Sequence, residues 1–321
     1  MLLKLKQYTV VLLLVVLIGF FCFTVEGFAS WSNLFNLLRQ AAILGIVSVG
    51  MSFIVITGNI DLSVGALISL SSCATALLIT QAGVSPVLAC LIGVALSTAA
   101  MLLNGVIILV THMPAMLCTL AAMQIYQGLA YIITRSAPVR GLPESMRLLG
   151  QGYLGPVPVP VVIMLAVFVL GQLFLSYTYP GRQLYAVGSN PESSRLAGLS
   201  VGRVSLLAFG LCGVLVGLAA CIHMSRLFGG FPASTGLEME VVTAVVVGGV
   251  SFSGGKGSVS GVFFGVLLMG VLSNGLGIMG ASTNTQLVFK GLVLILVVGL
   301  DCYQASHPTK AAALKKEGKH L

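Results

Sequence analysis

Long apolar runs broken by short polar stretches run the length of the chain, and they predict helical spans over 9–25, 41–57, 66–80, 87–110, 115–134, 161–178, 204–223, 259–275 and 286–300, with a shorter run at 241–250. A bilayer core of about 30 Å takes about 20 apolar residues in one helix. The pattern therefore predicts an all-α, polytopic membrane protein with about ten transmembrane helices, forming one domain over residues 1–321. Eight or nine spans is the alternative, because 241–250 is too short to cross unless it extends into its flanks. Unbroken runs, not alternation, exclude a membrane β-barrel. Residues 30–40 read as an amphipathic connector, 135–160 as a Pro- and Gly-rich loop, 179–203 as the longest charged interior stretch and 301–321 as a basic tail. The first run follows Lys4 and Lys6, and no small-x-small cleavage site closes it. It reads as a retained span, with a signal peptide as the alternative.

Two interruptions differ from ordinary turns. The first, Gly58-Asn59-Ile60-Asp61-Leu62-Ser63-Val64-Gly65, places a carboxylate between two apolar runs. A carboxylate at a helix centre in lipid costs about 2.5–3.5 kcal/mol on insertion scales, so Asp61 needs protein, water or a partner around it. Glycines at both edges let the backbone leave helical geometry, which membranes tolerate only where protein or a cavity covers the freed groups. Gly58, Asn59, Asp61, Ser63 and Gly65 therefore mark the first place to look for function. The second interruption, 248–257, is glycine-rich around Lys256. A break in each half is compatible with two five-span halves of opposite orientation, an inverted repeat.

Composition agrees with the pattern. Hydrophobic residues make up 57% of the chain and charged residues 7%, against about 25% charged in soluble proteins. With ten spans, ten basic residues (Lys4, Lys6, Arg182, Arg195, Arg203, Lys256, Lys310, Lys315, Lys316, Lys319) share a side with both termini, and five (Arg39, Arg135, Arg140, Arg147, Arg226) face the other. The richer side is expected to be cytoplasmic. The net charge of +8 therefore reflects topology rather than nucleic-acid binding. Seven cysteines are scattered without a C-x-x-C pair, and His112, His223, His307 and His320 are isolated. No metal site, cofactor or enzyme signature is indicated. The nearest phosphate-loop lookalike, residues 253–258, lacks the spacing that wraps a phosphate.

Within 179–203, Asn190 can cap a helix opened by Pro191, with Glu192 near its positive end and Gly198 as terminator. The segment is expected to be a short helix outside the membrane, serving as a plain connector or as a docking element. Sparse polar residues in the spans (Asn59, Asn104, Gln124, Asn274, Asn284) favour a small neutral polyol as cargo over an ion. Asn274 is a candidate for lining a path on that basis.

These segments carry a family resemblance. Gly58 to Gly65, Tyr185-Ala186-Val187-Gly188-Ser189-Asn190, and Ala244-Val245-Val246-Val247-Gly248-Gly249 running into Ser253-Gly254-Gly255-Lys256-Gly257 resemble permease subunits of bacterial ATP-binding-cassette importers of the ribose, xylose and galactose type. Met113-Pro114-Ala115 and Ser273-Asn274-Gly275-Leu276 add to it, and the likeness runs from about residue 30 to 301. The resemblance implies a multi-pass protein of the bacterial inner membrane, not itself an enzyme, with both termini cytoplasmic. It implies a homodimer or a pairing with a close paralogue, a cytoplasmic ATP-binding-cassette ATPase and a periplasmic solute-binding protein. Gly188, Asn190, Glu192, Arg195 and Gly198 would then couple to the ATPase, and Gly58, Asn59, Asp61, Ser63 and Gly65 would help shape the translocation path or its gate. Glu238 and Glu240 would meet the binding protein, or simply be solvated at the interface. The chain departs from the family pattern at Ser189, at Tyr179-Pro180, at Gln127 and at Glu240. The alternatives are an ion-coupled secondary transporter using Asp61, the same importer type carrying a nucleoside or furanosyl signalling molecule, and a purely structural membrane protein.

Overall fold

A computed structural model describes residues 2–233 and 236–306. In chain order it contains α1 (Leu2–Thr24), α2 (Trp31–Ile56), α3 (Val64–Thr80), α4 (Pro86–Thr111) and α5 (Ala115–Thr134). A 3-10 turn (Glu144–Met146), α6 (Arg147–Gln151) and the antiparallel pair β1 (Tyr153–Leu154) and β2 (Val157–Pro158) follow. Then come α7 (Val159–Tyr177), α8 (Tyr179–Ser189), α9 (Pro191–Leu196), α10 (Val201–Leu227), α11 (Leu237–Val247), α12 (Val259–Ile278) and α13 (Thr283–Ser306). The protein is a polytopic helical membrane protein: α2, α4, α5, α7, α10 and α12 are long and apolar enough to cross a bilayer, and shorter apolar helical stretches occupy Val10–Thr24, Val64–Thr80 and Thr283–Leu296. The basic tail beyond residue 306 lies outside the described residues.

Several boundaries differ from those the patterning predicts. The 30–40 connector is the first part of α2: Ser30 Oγ accepts a hydrogen bond from Asn33 N (3.3 Å), so the helix starts ten residues early. The 241–250 run becomes α11, eleven residues or about 16 Å at 1.5 Å per residue, with its start packed on Gly65 of α3. The loop over 135–160 holds the short 3-10, α6 and hairpin elements.

Helix α2 is the axis of the core, buried continuously from Ala41 to Ile56. Helix α10 packs between it and α4, and Gly213 and Gly217 bring the α4 backbone close: a Cβ there would lie 2.6 Å from the Thr98 Cα and 2.5 Å from the Val94 Cα. Small residues at this spacing let membrane helices pack by contact rather than by a hydrophobic drive. Asn33 and Asn274 exchange amide hydrogen bonds (2.9 Å each), fastening α2 to α12.

The two glycine-flanked breaks come together at one end of the bundle: a Cβ on Gly254 would lie 2.9 Å from Gly58 N. An axis relating inverted halves would put equivalent breaks at opposite ends, so these two are not counterparts. At the opposite end, Val139 and Gly230 form a bridge with N–H···O distances of 2.8 and 2.9 Å.

Candidate functional site

Three segments far apart in sequence meet backbone to backbone where α2 ends. The Ile56 carbonyl accepts from Gly255 N (2.8 Å). Gly188, near the end of α8, fits only because it has no side chain: an added Cβ would overlap the Ile56 carbonyl oxygen and sit 2.7 Å from Gly255 N. The Tyr185 hydroxyl donates to the Gly257 carbonyl (2.9 Å), and burial pushes its phenol above the ordinary range. Gly254 and Gly255 take φ of +75° and +69°, left-handed values that a Cβ resists. A glycine knot thus joins α2, α8 and the α11–α12 connection without a side chain between the backbones.

Helix α9 leaves this knot directly. Asn190 Oδ1 accepts from Ser193 N (2.9 Å), Pro191 opens the helix and Gly198 ends it at φ +82°. Glu192 and Arg195 lie 3.7 Å apart and are each 70% exposed, so their pairing adds little stability and leaves both free to meet a partner. Ser194 is buried beneath them, and Leu196 is 83% exposed. No polarity pattern singles out Leu196 in the sequence; its exposure on so short a helix is what marks it.

Asp61 is fully buried among protein groups. Its Oδ1 accepts from Ser63 N (2.7 Å) and Ser63 Oγ (2.6 Å), and its Oδ2 accepts from Asn104 Nδ2 (3.1 Å). Asn104 Oδ1 accepts in turn from the Tyr126 hydroxyl (2.7 Å). Thr119 Oγ1 accepts from Leu62 N (3.1 Å). Every member of this network is satisfied, so it rigidifies the loop instead of carrying a loose charge. The carboxylate answers its desolvation by pinning residues 57–63 to α4 and α5. Gly58 turns the chain at φ +84° and Asn59 Nδ2 donates to Thr57 Oγ1 (3.1 Å). Gly65 lies under Glu238, whose carboxylate a Cβ at 65 would strike.

The remaining candidates are placed differently from their expected roles. Glu238 is buried at the start of α11, and Glu240 forms an ion pair with Lys290 of α13, the two side chains being 15% and 13% exposed. Neither carboxylate is presented to an outside protein, because each is drawn into helix packing at the α11 N-terminus. Asn274 is engaged by Asn33 and so ties helices together. Gln127 donates to the Pro232 carbonyl, fastening α5 to the segment after α10.

A family described as branched-chain amino acid transport system / permease component matches residues 33–298. Among curated proteins, the chain is 40% identical over 272 residues to the ribose import permease protein RbsC of Bacillus subtilis (strain 168), covering 84% of each chain. It is 37% identical over 293 residues to RbsC of Escherichia coli (strain K12), covering 90% of this chain and 91% of that one. With the L-arabinose transport system permease protein AraH of Escherichia coli (strain K12) it shares 34% over 299 residues, covering 93% and 91%. No solved structure matches.

Proposed function

The chain belongs to the family of permease components of branched-chain amino acid transport systems, and on that premise we propose that it is the membrane subunit of an ATP-driven importer for a small neutral sugar of the ribose or arabinose type. A separate binding protein would deliver the sugar and a separate ATPase would drive passage, with two permease chains forming the path. The observation that carries this reading is the glycine knot. It places the exposed helix α9, capped by Asn190 two residues beyond Gly188, at a rigid backbone junction with α2 and with the α11–α12 connection. A displacement of α9 by an ATPase would move two membrane segments without passing through flexible side chains. The knot end is then cytoplasmic, with ten passes and both termini on that side, in keeping with the excess of basic residues there.

Inverted halves fit a different pairing from the two glycine breaks. The 57–63 loop follows the 26-residue α2 and precedes α3; the turn after α10 follows 27 residues and precedes α11. The starts of α3 and α11 meet at Gly65 and Glu238, as the equivalents beside a two-fold axis in the membrane plane would. An ion-coupled transporter is the poorer reading, because Asp61 has its oxygens occupied by Ser63 and Asn104.

The test is purification of the tagged chain in mild detergent, with and without a disrupted α9. Recovery of an ATPase with the native chain and its loss with the disrupted one supports the proposal. Uptake that needs no ATPase and collapses with an uncoupler overturns it.

A further inference from the structure

The side chains that α4 and α5 turn outward differ in kind. Of the two helices' most apolar stretches, 28% is buried in each, yet mean hydropathy is 2.2 for α4 and 1.4 for α5. Between Val87 and Val110 every exposed α4 residue is apolar, as lipid requires. On α5 the exposed set includes Gln124, which stands at the middle of a 20-residue span. An amide facing hydrocarbon at that depth has no hydrogen-bond partner, so polar residues in spans face protein or a water-filled cavity.

Gln124 does not stand alone. Gly128 and Tyr131 follow at spacings of four and three, which puts these three on one stripe, and Arg135 stands just past the helix end at φ +51°. Nothing lies within 4 Å of a Cβ built on Gly128, Tyr131 is 39% exposed, and Arg135 is exposed. The stripe leads to a cavity of about 550 Å³ that Arg135 shares with Thr80, Gln81, Thr134 and Arg140. Towards the other end the stripe continues as Ala121 and Leu117, both exposed and apolar.

We propose that the Gln124–Gly128–Tyr131 stripe of α5 is one wall of the water-filled path, with the polar cavity beside Arg135 as its mouth, and that the Gln124 amide hydrogen-bonds hydroxyl groups of the passing cargo. This rests on the permease reading above. Gln124 is a cargo-contacting residue at mid-span, where the polar lining gives way to Ala121 and Leu117. A glutamine offers one acceptor and two donors without charge, which suits a neutral polyol.

The experiment introduces Gln124→Cys, Gly128→Cys and, on the apolar face of α4, Leu103→Cys into the transporter in native membranes. Each is exposed to a charged, membrane-impermeant methanethiosulfonate, and modification is located by peptide mass spectrometry so that native cysteines do not interfere. Positions 124 and 128 are expected to react at least about tenfold faster than 103, because a charged reagent is excluded from hydrocarbon. Reaction at both no faster than at 103 overturns the proposal. Gly128→Cys keeps the test valid if the Gln124 variant does not assemble. Gln124→Leu adds a second readout: a raised KM for ribose or arabinose, with yield and ATPase co-purification unchanged, supports cargo contact. Unchanged uptake with equal or better yield overturns that contact. Labelling needs neither ATP nor sugar, so failure of the importer reading leaves the water path standing. An unlabelled stripe in membranes that still take up sugar sinks the path alone.

Discussion

The carbonyl of Ile56 and the α-carbon of Gly188 occupy neighbouring space that admits no methyl group, and the same carbonyl is held by Gly255 N at 2.8 Å. A permease driven from outside its membrane domain needs a stiff connection from the docking helix to the spans, and this contact supplies one in backbone alone.

Gly188→Ala is therefore expected to separate the two functions of the segment. Overpacking at a tight site costs typically about 1–3 kcal/mol, so the melting temperature in detergent should fall while the protein still assembles. ATP-driven uptake should fall by more than tenfold as α8 is pushed off α2. Ser189→Ala, which removes only a long 3.5 Å contact to the Gly255 carbonyl, should be nearly silent in the same assay. Equal loss in both would remove the knot from the mechanism.

The docking face should respond in the opposite way. Leu196, Glu192 and Arg195 are exposed, and surface substitutions away from special features stay within about 0.5 kcal/mol. Leu196→Ser and Glu192→Ala should leave thermal unfolding unchanged and reduce the ATPase recovered with the chain. Asn190→Ala removes the bond to Ser193 N and should cost about 0.5–2 kcal/mol of local helix stability, whereas Asn190→Asp keeps the cap and should retain uptake. Hydrogen exchange over 191–198 distinguishes the two substitutions.

Asp61 is expected to behave as a structural carboxylate. Tyr126→Phe leaves Asn104 Oδ1 without its 2.7 Å donor, and an unsatisfied buried group costs about 1–3 kcal/mol. Stability should drop while uptake per folded molecule is largely kept. Asp61→Asn should act the same way, with uptake still following ATP. If that variant instead abolishes a dependence on a proton or sodium gradient, the carboxylate is a coupling site and the loop has a different purpose.

What could be read from the chain alone follows the range of the interactions. The Asn190 cap, Pro191 start and Gly198 stop lie within nine consecutive residues, and the local rules of helix ends identify them. The knot joins residues 56, 188 and 255; the glycines marked each segment as unusual, but nothing local says they touch. Polar residues in the spans were conspicuous for a related reason, and their roles still depended on partners. Asn274 reads as available in the sequence, yet Asn33 stands across from it; Glu240 reads as an outer contact, yet α13 brings Lys290 beside it. The start of α2 was obscured because its first turns are amphipathic while its remainder is uniformly apolar.

The Glu240–Lys290 pair gives the last expectation. Both side chains are nearly enclosed, at 15% and 13% exposure, and they connect the short helix α11 to the final span. Removing one partner of a buried pair strands the other and is destabilising by about 3–5 kcal/mol, whereas replacing both with uncharged residues is often close to neutral. Glu240→Gln and Lys290→Gln should each lower the melting temperature sharply. The double variant Glu240→Gln/Lys290→Gln should recover most of the loss. Most of the eleven residues of α11 are buried against α2 and α12, so a stranded charge at its first turn would sit against the core, and the single variants should also lose ATP-driven uptake. Additive losses in the double variant would mean that each residue acts through something other than the pair, and the ion pair would then not be what ties α11 to α13.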